Sequence, residues 1–302
     1  MEIAVLENSE ISPTEPISQV VLALRGLYRS FGTVRAIQGL DLTVRRGEIY
    51  GFLGRNGAGK TTTIRSLMGI LRPDAGTIEI LGSSVDRVRP ELKRNIGYVA
   101  QEQHFYSWMT CRGIGRFVGG FYPNWDAFEF ERLLDVFELP PRRRISSLSH
   151  GMRVKLALAL ATAPRPPLLI LDEPTSGLDP VARREFSDLL TVHARAANQT
   201  VFFSTHLVEE VERLADRLCI LDRGRAVYEG SLGTLRESVR LLDSSACDPL
   251  PPDFHVLQRL GDTDLIVRAE PARWVEASLT DRGRALPLNE IFIAMVTGSR
   301  GR

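Results

Sequence analysis

The sequence is poor in cysteine, in long apolar runs and in excess charge of either sign. Its three cysteines, Cys111, Cys219 and Cys247, are odd in number and widely spaced. Neither a disulfide framework nor a zinc site is therefore expected, and a reducing cytosol is compatible with them. No run approaches the roughly 20 apolar residues that cross a bilayer, which argues against a membrane-spanning helix. Lys and Arg number 38 against 37 Asp and Glu, and this balance argues against a nucleic-acid partner bound by bulk charge.

The N-terminus also lacks the positive start and apolar stretch of a secretory signal. Residues 1–19, which contain Pro13 and Pro16, are predicted to be a flexible leader. The remainder has an ordinary globular composition, with 43% hydrophobic and 25% charged residues, which excludes wholesale disorder. At 302 residues the chain has the length of two domains, or of one large domain with an appendage.

Short apolar runs alternate with segments of helical periodicity, a pattern typical of an α/β domain with a largely parallel sheet. Strands are predicted at Val20–Leu24, Ala36–Val44, Glu48–Leu53, Thr77–Leu81, Ile96–Ala100, Leu168–Leu171, Val201–Ser204 and Leu218–Leu221. Helices are predicted at Lys60–Leu71, Met152–Ala163, Val181–Ala196 and Leu207–Ala215. Strand signals vanish around Phe105–Arg144, which indicates a mainly helical insert.

The C-terminal part has a different organisation. Residues 241–252 contain several prolines and serines and are predicted to be a linker. Two weak strands, Phe254–Leu260 and Leu265–Ala269, and two helices, from Pro271 and across Leu288–Val296, then predict a small α+β accessory domain. This domain could regulate the protein, mediate dimerisation or stabilise the fold, and its residues do not indicate which of these roles it has.

The clearest indication of a binding site is a glycine-rich segment. Gly54–Thr61 fits the pattern G-x-x-x-x-G-K-[ST], follows an apolar strand and opens a helical segment. Glycines let backbone N–H groups converge on phosphate oxygens, and the N-terminus of the helix favours the same anions. We expect Lys60 to reach the β- and γ-phosphates and Thr61 to bind Mg²⁺. A glycine-rich turn with a chance lysine is the alternative, and it leaves the flanking strand and helix unexplained.

A second buried strand, Leu168–Leu171, ends in the adjacent carboxylates Asp172 and Glu173. Alone, this could be a strand that runs into a polar loop. Behind a phosphate-binding loop it predicts a Mg²⁺ site, in which Asp172 holds the water shell of the metal and Glu173 polarises an attacking water.

Together with further motifs, these segments resemble the ATP-binding subunit of an ABC transporter. The additional motifs are "LSHGM" at residues 148–152, "SGLD" at 176–179 and His206. The resemblance covers about Val20–Ser231, and the stretch Leu148–Pro180 is most similar to the ABC-2 exporter branch, which includes bacitracin-resistance exporters. It implies a P-loop NTPase fold over residues 20–240, with an antiparallel β-subdomain and a helical insert at about 105–160, followed by linker and accessory domain at 241–302.

The resemblance also implies a role for each matching residue. Nucleotide contacts are expected from Phe31, Gly54, Asn56, Gly57, Ala58, Gly59, Lys60, Thr61, Thr62, Ser149, Gly151 and Asp179. Mg²⁺ contacts are expected from Thr61, Gln101 and Asp172, and catalysis of ATP hydrolysis from Glu173, Gln101 and His206. Phe31 stands where the family places an aromatic on adenine; Tyr28 is a weaker candidate, and a core position for Phe31 is the alternative.

The segment around Ser149 and Gly151 implies a second subunit. It opens an apolar helix, and a helix start with a hydroxyl suits a γ-phosphate, or is simply a serine cap. In this family such a segment closes over the ATP of a partner, which is an identical copy or a paralogue. The chain departs from the common LSGGQ at His150 and Met152, and this departure affects the polarity of the second phosphate-binding surface.

The family also implies a separate integral membrane permease and a peripheral position on the cytoplasmic face of the inner membrane. The insert is rich in aromatic residues, which either form its core or line a groove for the permease. They are Phe105, Tyr106, Trp108, Phe117, Phe121, Tyr122, Trp125, Phe128, Phe130 and Phe137. The transported molecule is not predicted beyond a small molecule, peptide or lipid.

Soluble ABC-type ATPases outside transport are the competing class. Those of the ribosome carry two ATPase modules and a basic linker, and those of DNA repair carry long coiled-coil insertions. The chain has neither feature, and a small-molecule P-loop kinase leaves "LSHGM" and His206 unexplained.

Overall fold

The computed structural model describes residues 19–85, 90–244, 249–261 and 263–298. The predicted leader, residues 1–19, lies outside these ranges except for Gln19, and Cys247 lies outside them as well. The other two cysteines, Cys111 and Cys219, are buried and reduced.

The strands of the described ranges form three sheets. In chain order they are β1 (Val20–Phe31), β2 (Val34–Arg45), β3 (Ile49–Gly54), β4 (Ala75–Ile80), β5 (Ser83–Ser84), β6 (Ile96–Val99), β7 (Leu168–Asp172), β8 (Thr200–Thr205), β9 (Arg217–Asp222), β10 (Arg225–Ser231), β11 (Val239–Asp243), β12 (His255–Leu260), β13 (Asp264–Arg268) and β14 (Arg284–Ala285).

Helices connect and cover these strands. They are α1 (Lys60–Leu67), α2 (Pro90–Lys93), α3 (Cys111–Gly119), α4 (Ala127–Val136), α5 (His150–Thr162), α6 (Pro180–Ala196), α7 (Val208–Leu214), α8 (Leu232–Ser238), α9 (Pro271–Glu276) and α10 (Leu288–Gly298). α1 ends earlier than the predicted Leu71, because Gly69 adopts a left-handed φ of +61° directly after the C-cap Met68.

The central sheet has the order β10-β9-β3-β8-β7-β6, parallel except for β10. Alternate residues of its strands face opposite layers. Leu53, Leu171 and Phe203 pack with α5 and α6 on one side. Phe52 and Phe202 pack on the other side with α1 and the antiparallel sheet β2-β1-β4-β5. The apolar runs of the sequence are therefore strands buried on both faces, as parallel sheets require.

The insert between β6 and β7 contains α3, α4 and α5. Its aromatic residues divide between buried and exposed positions. Phe130 and Phe137 are buried in the core, and Phe105 and Trp125 pack against it. An exposed group remains at the surface: Tyr106, Trp108, Phe117, Phe121 and Phe128.

The C-terminal unit forms the sheet β12-β13-β11-β14 around a small core that includes Phe254 and Trp274. The structure differs from the predicted linker at its start, since Leu241–Asp243 belong to β11 and pair with β13. The sequence did not predict β10 and β11, because each is short and buries only one or two of its residues. α10 packs against α7 and joins the main core through Ile291 and Met295, so this unit is tied to the larger N-terminal domain.

Candidate active site

Two glycines with positive φ shape the loop between β3 and α1. Gly57 has φ +79° and Gly59 has φ +112°. A Cβ on Gly59 would lie 2.4 Å from the carbonyl oxygen of Ala36, so only glycine fits there. Gly59 is also the N-cap residue of α1, and no side chain caps this helix. The first N–H groups of α1 are therefore left for an external acceptor, for which phosphate oxygens are well suited.

The other predicted residues of this loop surround the turn. Asn56 is exposed, and Thr62 lies in the first turn of α1. Ala58 is buried, and its carbonyl oxygen accepts a hydrogen bond from the N–H of Gly224 at 2.8 Å. Gly54 ends β3, where a Cβ would lie 2.7 Å from the carbonyl oxygen of Leu221. The loop is thus held against β9 and the turn that follows it.

Lys60 is 4% exposed, and its ammonium group has three acceptors. It donates to the carbonyl oxygens of Gly54 at 2.7 Å and Arg55 at 3.2 Å. The third acceptor is Oε1 of Glu173, at 2.9 Å. An ammonium has three N–H donors, and all of them are accounted for.

Asp172 ends β7, inside the protein. Its Oδ1 accepts hydrogen bonds from Ser204 Oγ at 2.8 Å and from Thr61 Oγ1 at 3.4 Å. Burial raises the pKa of the Asp172 carboxyl, as does the charge of Glu173, and the two hydroxyls and Lys60 oppose this shift. Sequence reasoning missed Ser204, which lies on β8 two residues before His206 and has no motif of its own.

Glu173 has a left-handed φ of +43°, which is uncommon for a residue with a side chain. Its N–H donates to Ser204 Oγ at 3.0 Å. Its carboxylate bridges two side chains: Oε1 contacts Lys60, and Oε2 lies 2.9 Å from His206 Nδ1. The turn after β7 therefore brings together three predicted site residues from three separate segments of the chain.

Thr61 and Asp172 also fit the protein's part of a Mg²⁺ site. Within the described ranges, no group of three or more His, Cys, Asp or Glu side chains could hold a metal by itself. Mg²⁺ in nucleotide sites commonly takes one or two carboxylates together with phosphate oxygens and waters. One carboxylate beside one hydroxyl, next to the phosphate-binding loop, matches that donor set.

Comparisons with known proteins agree with this geometry. A family model described as ABC transporter matches residues 37–176. The chain is 40% identical over 232 residues to Nod factor export ATP-binding protein I of Rhizobium sp. (strain N33), covering 73% of this chain and 74% of that protein. It is 35% identical over 215 residues to the bacitracin transport ATP-binding protein BcrA of Bacillus licheniformis, covering 69% of each.

The chain belongs to the ABC transporter family. A solved ATP-binding subunit of an ABC transporter superposes with a TM-score of 0.68 at 25% identity, covering 91% of this chain and 99% of that one. A dimeric bacterial ABC transporter cassette shares the fold, with a TM-score of 0.63 at 22% identity over 70% of this chain and 99% of that one. These findings confirm the predicted fold and the prediction that the chain is the ATP-binding, ATP-hydrolysing subunit.

Helices long and apolar enough to span a bilayer do not occur in the part of this ABC subunit that the structure describes.

Gln101 and Phe31 lie at the surface of the ABC fold. Gln101 follows β6, which pairs in parallel with β7, so it comes at the sheet edge that carries Asp172. Its side chain is exposed, and within the described ranges it forms no hydrogen bond with the site.

Phe31 ends β1 and is 47% exposed, with the Arg29 guanidinium 4.8 Å from its ring centroid. A core position for Phe31 is thereby excluded. Tyr28 is also exposed.

The residues expected to face a partner's nucleotide begin two helices. Ser149 caps α5, its Oγ accepting from the N–H of Met152 at 3.2 Å. Asp179 caps α6, its Oδ1 accepting from the N–H groups of Val181 and Ala182. Gly151 is half-buried, and a Cβ there would make ordinary van der Waals contacts with the side chains of Leu178 at 3.6 Å and Ala182 at 3.9 Å.

His150, which departs from the family's common motif, has a partner in the same chain. Its Nε2 lies 2.9 Å from the carbonyl oxygen of Ser176, in the loop after β7. Sequence reasoning could not find this pairing, because 26 residues separate the two.

Proposed function

We propose that this chain energises export through a separate integral membrane subunit, with Glu173 as the base that activates water for attack on the γ-phosphate. The observation that supports the assignment is the bridge of Glu173 between Lys60 and His206, at 2.9 Å on each side. A carboxylate within reach of the phosphate-binding lysine stands where an attacking water has to be oriented.

Lys60 links ATP binding to the freeing of this base. To bind β- and γ-phosphate oxygens, its ammonium has to exchange an acceptor, and Glu173 is the acceptor that is a side chain. The exchange leaves Oε1 of Glu173 open to a water molecule, while Oε2 keeps its bond to His206. Glu173 is thus released as a base when a phosphate takes its place on Lys60.

His206 both orients Glu173 and completes the phosphate contacts. With Nδ1 engaged by Glu173, its Nε2 is the ring nitrogen left for the γ-phosphate. The family resemblance supports this assignment, and it supports Gln101 as the residue that senses the metal and the attacking water.

Thr61 and Asp172 would hold Mg²⁺, with Gln101 as the third protein contact. When bound, the ion supplies Lewis-acid stabilisation of the charge on the β- and γ-phosphates. The chain's own part is to keep Asp172 charged and oriented through Ser204. Phe31, exposed at the end of β1, is the proposed stacking surface for adenine.

The complete site requires two ATPase subunits. Ser149 is exposed at the start of α5, and Gly151 is half-buried two residues further on. We assign these residues, with Asp179, to a surface that closes over the ATP of an opposing identical or paralogous subunit. The dimeric state of a cassette with the same fold supports this arrangement.

Four of the five exposed aromatic residues of the insert, those in contact with one another, are assigned to the membrane subunit. Tyr106, Trp108, Phe117 and Phe121 form a continuous chain of ring contacts with centroid distances of 5.4 to 6.0 Å. A groove of about 370 Å³ is lined in part by Tyr98, Phe105 and Tyr122, with Lys93 and Glu102 also at its wall. An apolar face of this kind suits a short helix of the permease, which would hold the chain at the cytoplasmic face of the membrane.

The test of the proposal is Glu173→Gln, which keeps the shape of the side chain and removes its basicity. We expect ATP binding to persist and hydrolysis to fall by about 10²–10⁴-fold, the usual contribution of a general base. The measurements are ATP affinity by calorimetry and phosphate release under saturating ATP and Mg²⁺. The exposed Glu237→Gln is the matched control.

Wild-type turnover in Glu173→Gln would refute the assignment of the base. For the export role, co-purification of the chain with an integral membrane protein is expected. Recovery with ribosomes or DNA, and without any membrane protein, would contradict that role.

A further inference from the structure

We propose that Glu210 is a positioning residue, which acts through Thr175 to fix the loop that carries Glu173 relative to His206. This inference rests on the proposed roles of Glu173 and His206. It concerns a buried carboxylate that none of the family's sequence motifs discussed above includes.

Glu210 is buried in a place where a carboxylate is costly unless it is paired. It lies in the first turn of α7, four residues after His206, and is 4% exposed. Its Oε1 accepts a hydrogen bond from Thr175 Oγ1. The same oxygen lies 3.6 Å from Nε of Arg183, on α6. A buried charge with these two partners is held in one position, because losing either partner leaves it incompletely compensated.

Thr175 connects this carboxylate to the turn after β7, which carries Glu173. It comes two residues after Glu173, and the N–H of Ser176 donates to the carbonyl oxygen of Glu173 at 3.0 Å. The N–H of Leu178 donates in turn to the carbonyl oxygen of Thr175. Glu173 has an uncommon φ of +43°, so its orientation depends on how the following residues are anchored. Two side-chain contacts anchor this turn: the bond from Thr175 to Glu210, and the contact of His150 Nε2 with the carbonyl oxygen of Ser176.

The other end of the contact is the segment that carries His206. The N–H of Glu210 donates to the carbonyl oxygen of Leu207, and the N–H of Leu207 donates to Thr205 Oγ1 at 3.0 Å. Glu210 is thus bonded through its backbone to the residue next to His206 and through its side chain to the loop next to Glu173. The segments that carry Glu173 and His206 are therefore joined twice. The first connection is the 2.9 Å contact between those two side chains, and the second is made by the hydrogen bonds of Glu210.

Arg183 connects Glu210 to Asp179, which belongs to the surface of this chain that is proposed to meet the partner subunit. Its Nη2 donates to the carbonyl oxygen of Leu178 at 3.2 Å, and its own N–H donates to the carbonyl oxygen of Asp179. A displacement of Asp179 by an opposing subunit would thus reach Glu210, and through it the spacing of Glu173 and His206.

The experiment compares Thr175→Val, which removes the hydroxyl at nearly constant volume, with Thr175→Ser, which keeps it. Misplacement of a reacting group by about 1 Å costs up to about 100-fold in rate. We expect kcat for ATP hydrolysis to fall by between about 10- and 100-fold in Thr175→Val, with the KM for ATP unchanged and Thr175→Ser close to wild type. The exposed neighbour Glu209 gives the control for the carboxylate, since Glu210→Gln should lower kcat and Glu209→Gln should not.

A double variant separates positioning from a general loss of stability. If Thr175 acts through Glu173, then adding Thr175→Val to Glu173→Gln causes no further loss in single-turnover hydrolysis. Thermal melting and ATP-binding stoichiometry establish that each variant is folded. A folded Thr175→Val with wild-type kcat overturns the proposal, and so does a loss that simply multiplies that of Glu173→Gln. Either result leaves the assignment of Glu173 as the base intact, because Glu173→Gln alone decides that assignment.

Discussion

The ammonium nitrogen of Lys60 lies 2.9 Å from Oε1 of Glu173, and both side chains are less than a tenth exposed. The proposed phosphate ligand and the proposed base thus hold each other inside the protein. A buried ion pair of this kind contributes little net stability, because desolvation offsets its attraction. Its consequence is functional, since ATP binding and release of the base require the same contact to break.

Lys60→Ala tests the phosphate side of this pair. A hydrogen bond to a charged group contributes about 1.5–3 kcal/mol, which corresponds to at least about a tenfold change in affinity. We therefore expect the Kd for ATP measured by calorimetry to rise by at least about tenfold, or binding to be lost. The exposed Lys93→Ala is the control. Unchanged affinity in Lys60→Ala would count against the role of the loop in binding phosphate.

Asp172→Asn tests how burial opposes the charge needed for the metal. Because burial raises the pKa of Asp172 above its ordinary value, the folded protein binds a proton there more tightly than the unfolded chain does. The charged carboxylate therefore lowers stability above the folded-state pKa, and this cost disappears below the unfolded-state value of about 3.9. Asn accepts the Ser204 hydrogen bond without the charge.

We expect Asp172→Asn without Mg²⁺ to melt at a higher temperature than wild type near pH 8, and at the same temperature near the ordinary aspartate pKa of about 3.9. The additional stabilisation that MgATP gives wild type should be absent from the variant. Thermal melts across pH, with and without MgATP, measure both effects, and the exposed Asp188→Asn is the control. A variant less stable than wild type at pH 8, or one that MgATP stabilises fully, would contradict this account.

The sequence predicted the parts of the site that short motifs define, and it could not predict the contacts between distant segments. Gly54–Thr61 is contiguous, so its residues identify the loop and its chemistry without knowledge of the fold. The hydrogen bond between Asp172 and Ser204 joins residues 32 positions apart, and that between Thr175 and Glu210 joins residues 35 apart. Serine and glutamate carry no signal that they are buried, so only the packing of β7, β8 and α7 reveals them.

Trp108→Ala tests the exposed aromatic surface. Trp108 is 67% exposed, so its removal should leave the thermal stability of the isolated chain nearly unchanged. We expect recruitment of the chain to membranes that contain its permease to fall, because aromatic side chains dominate the energetics of interfaces. The matched control is Phe128→Ala, in the same insert and 90% exposed. Intact recruitment of the Trp108 variant in a sedimentation assay would exclude Trp108 from the docking surface.

Ser149→Asp tests whether the start of α5 meets a partner's γ-phosphate. Aspartate caps helices as well as serine does, so the bond to the N–H of Met152 and the fold should persist. The added carboxylate would repel a phosphate placed at this helix start. In a Glu173→Gln background that retains ATP, we expect ATP-dependent dimers on size-exclusion chromatography with Ser149 and monomers with Asp. Ser231→Asp, at the N-cap of α8, makes the same change at another helix and should leave the dimer intact. An ATP-dependent dimer that tolerates Ser149→Asp would place the second phosphate contact elsewhere.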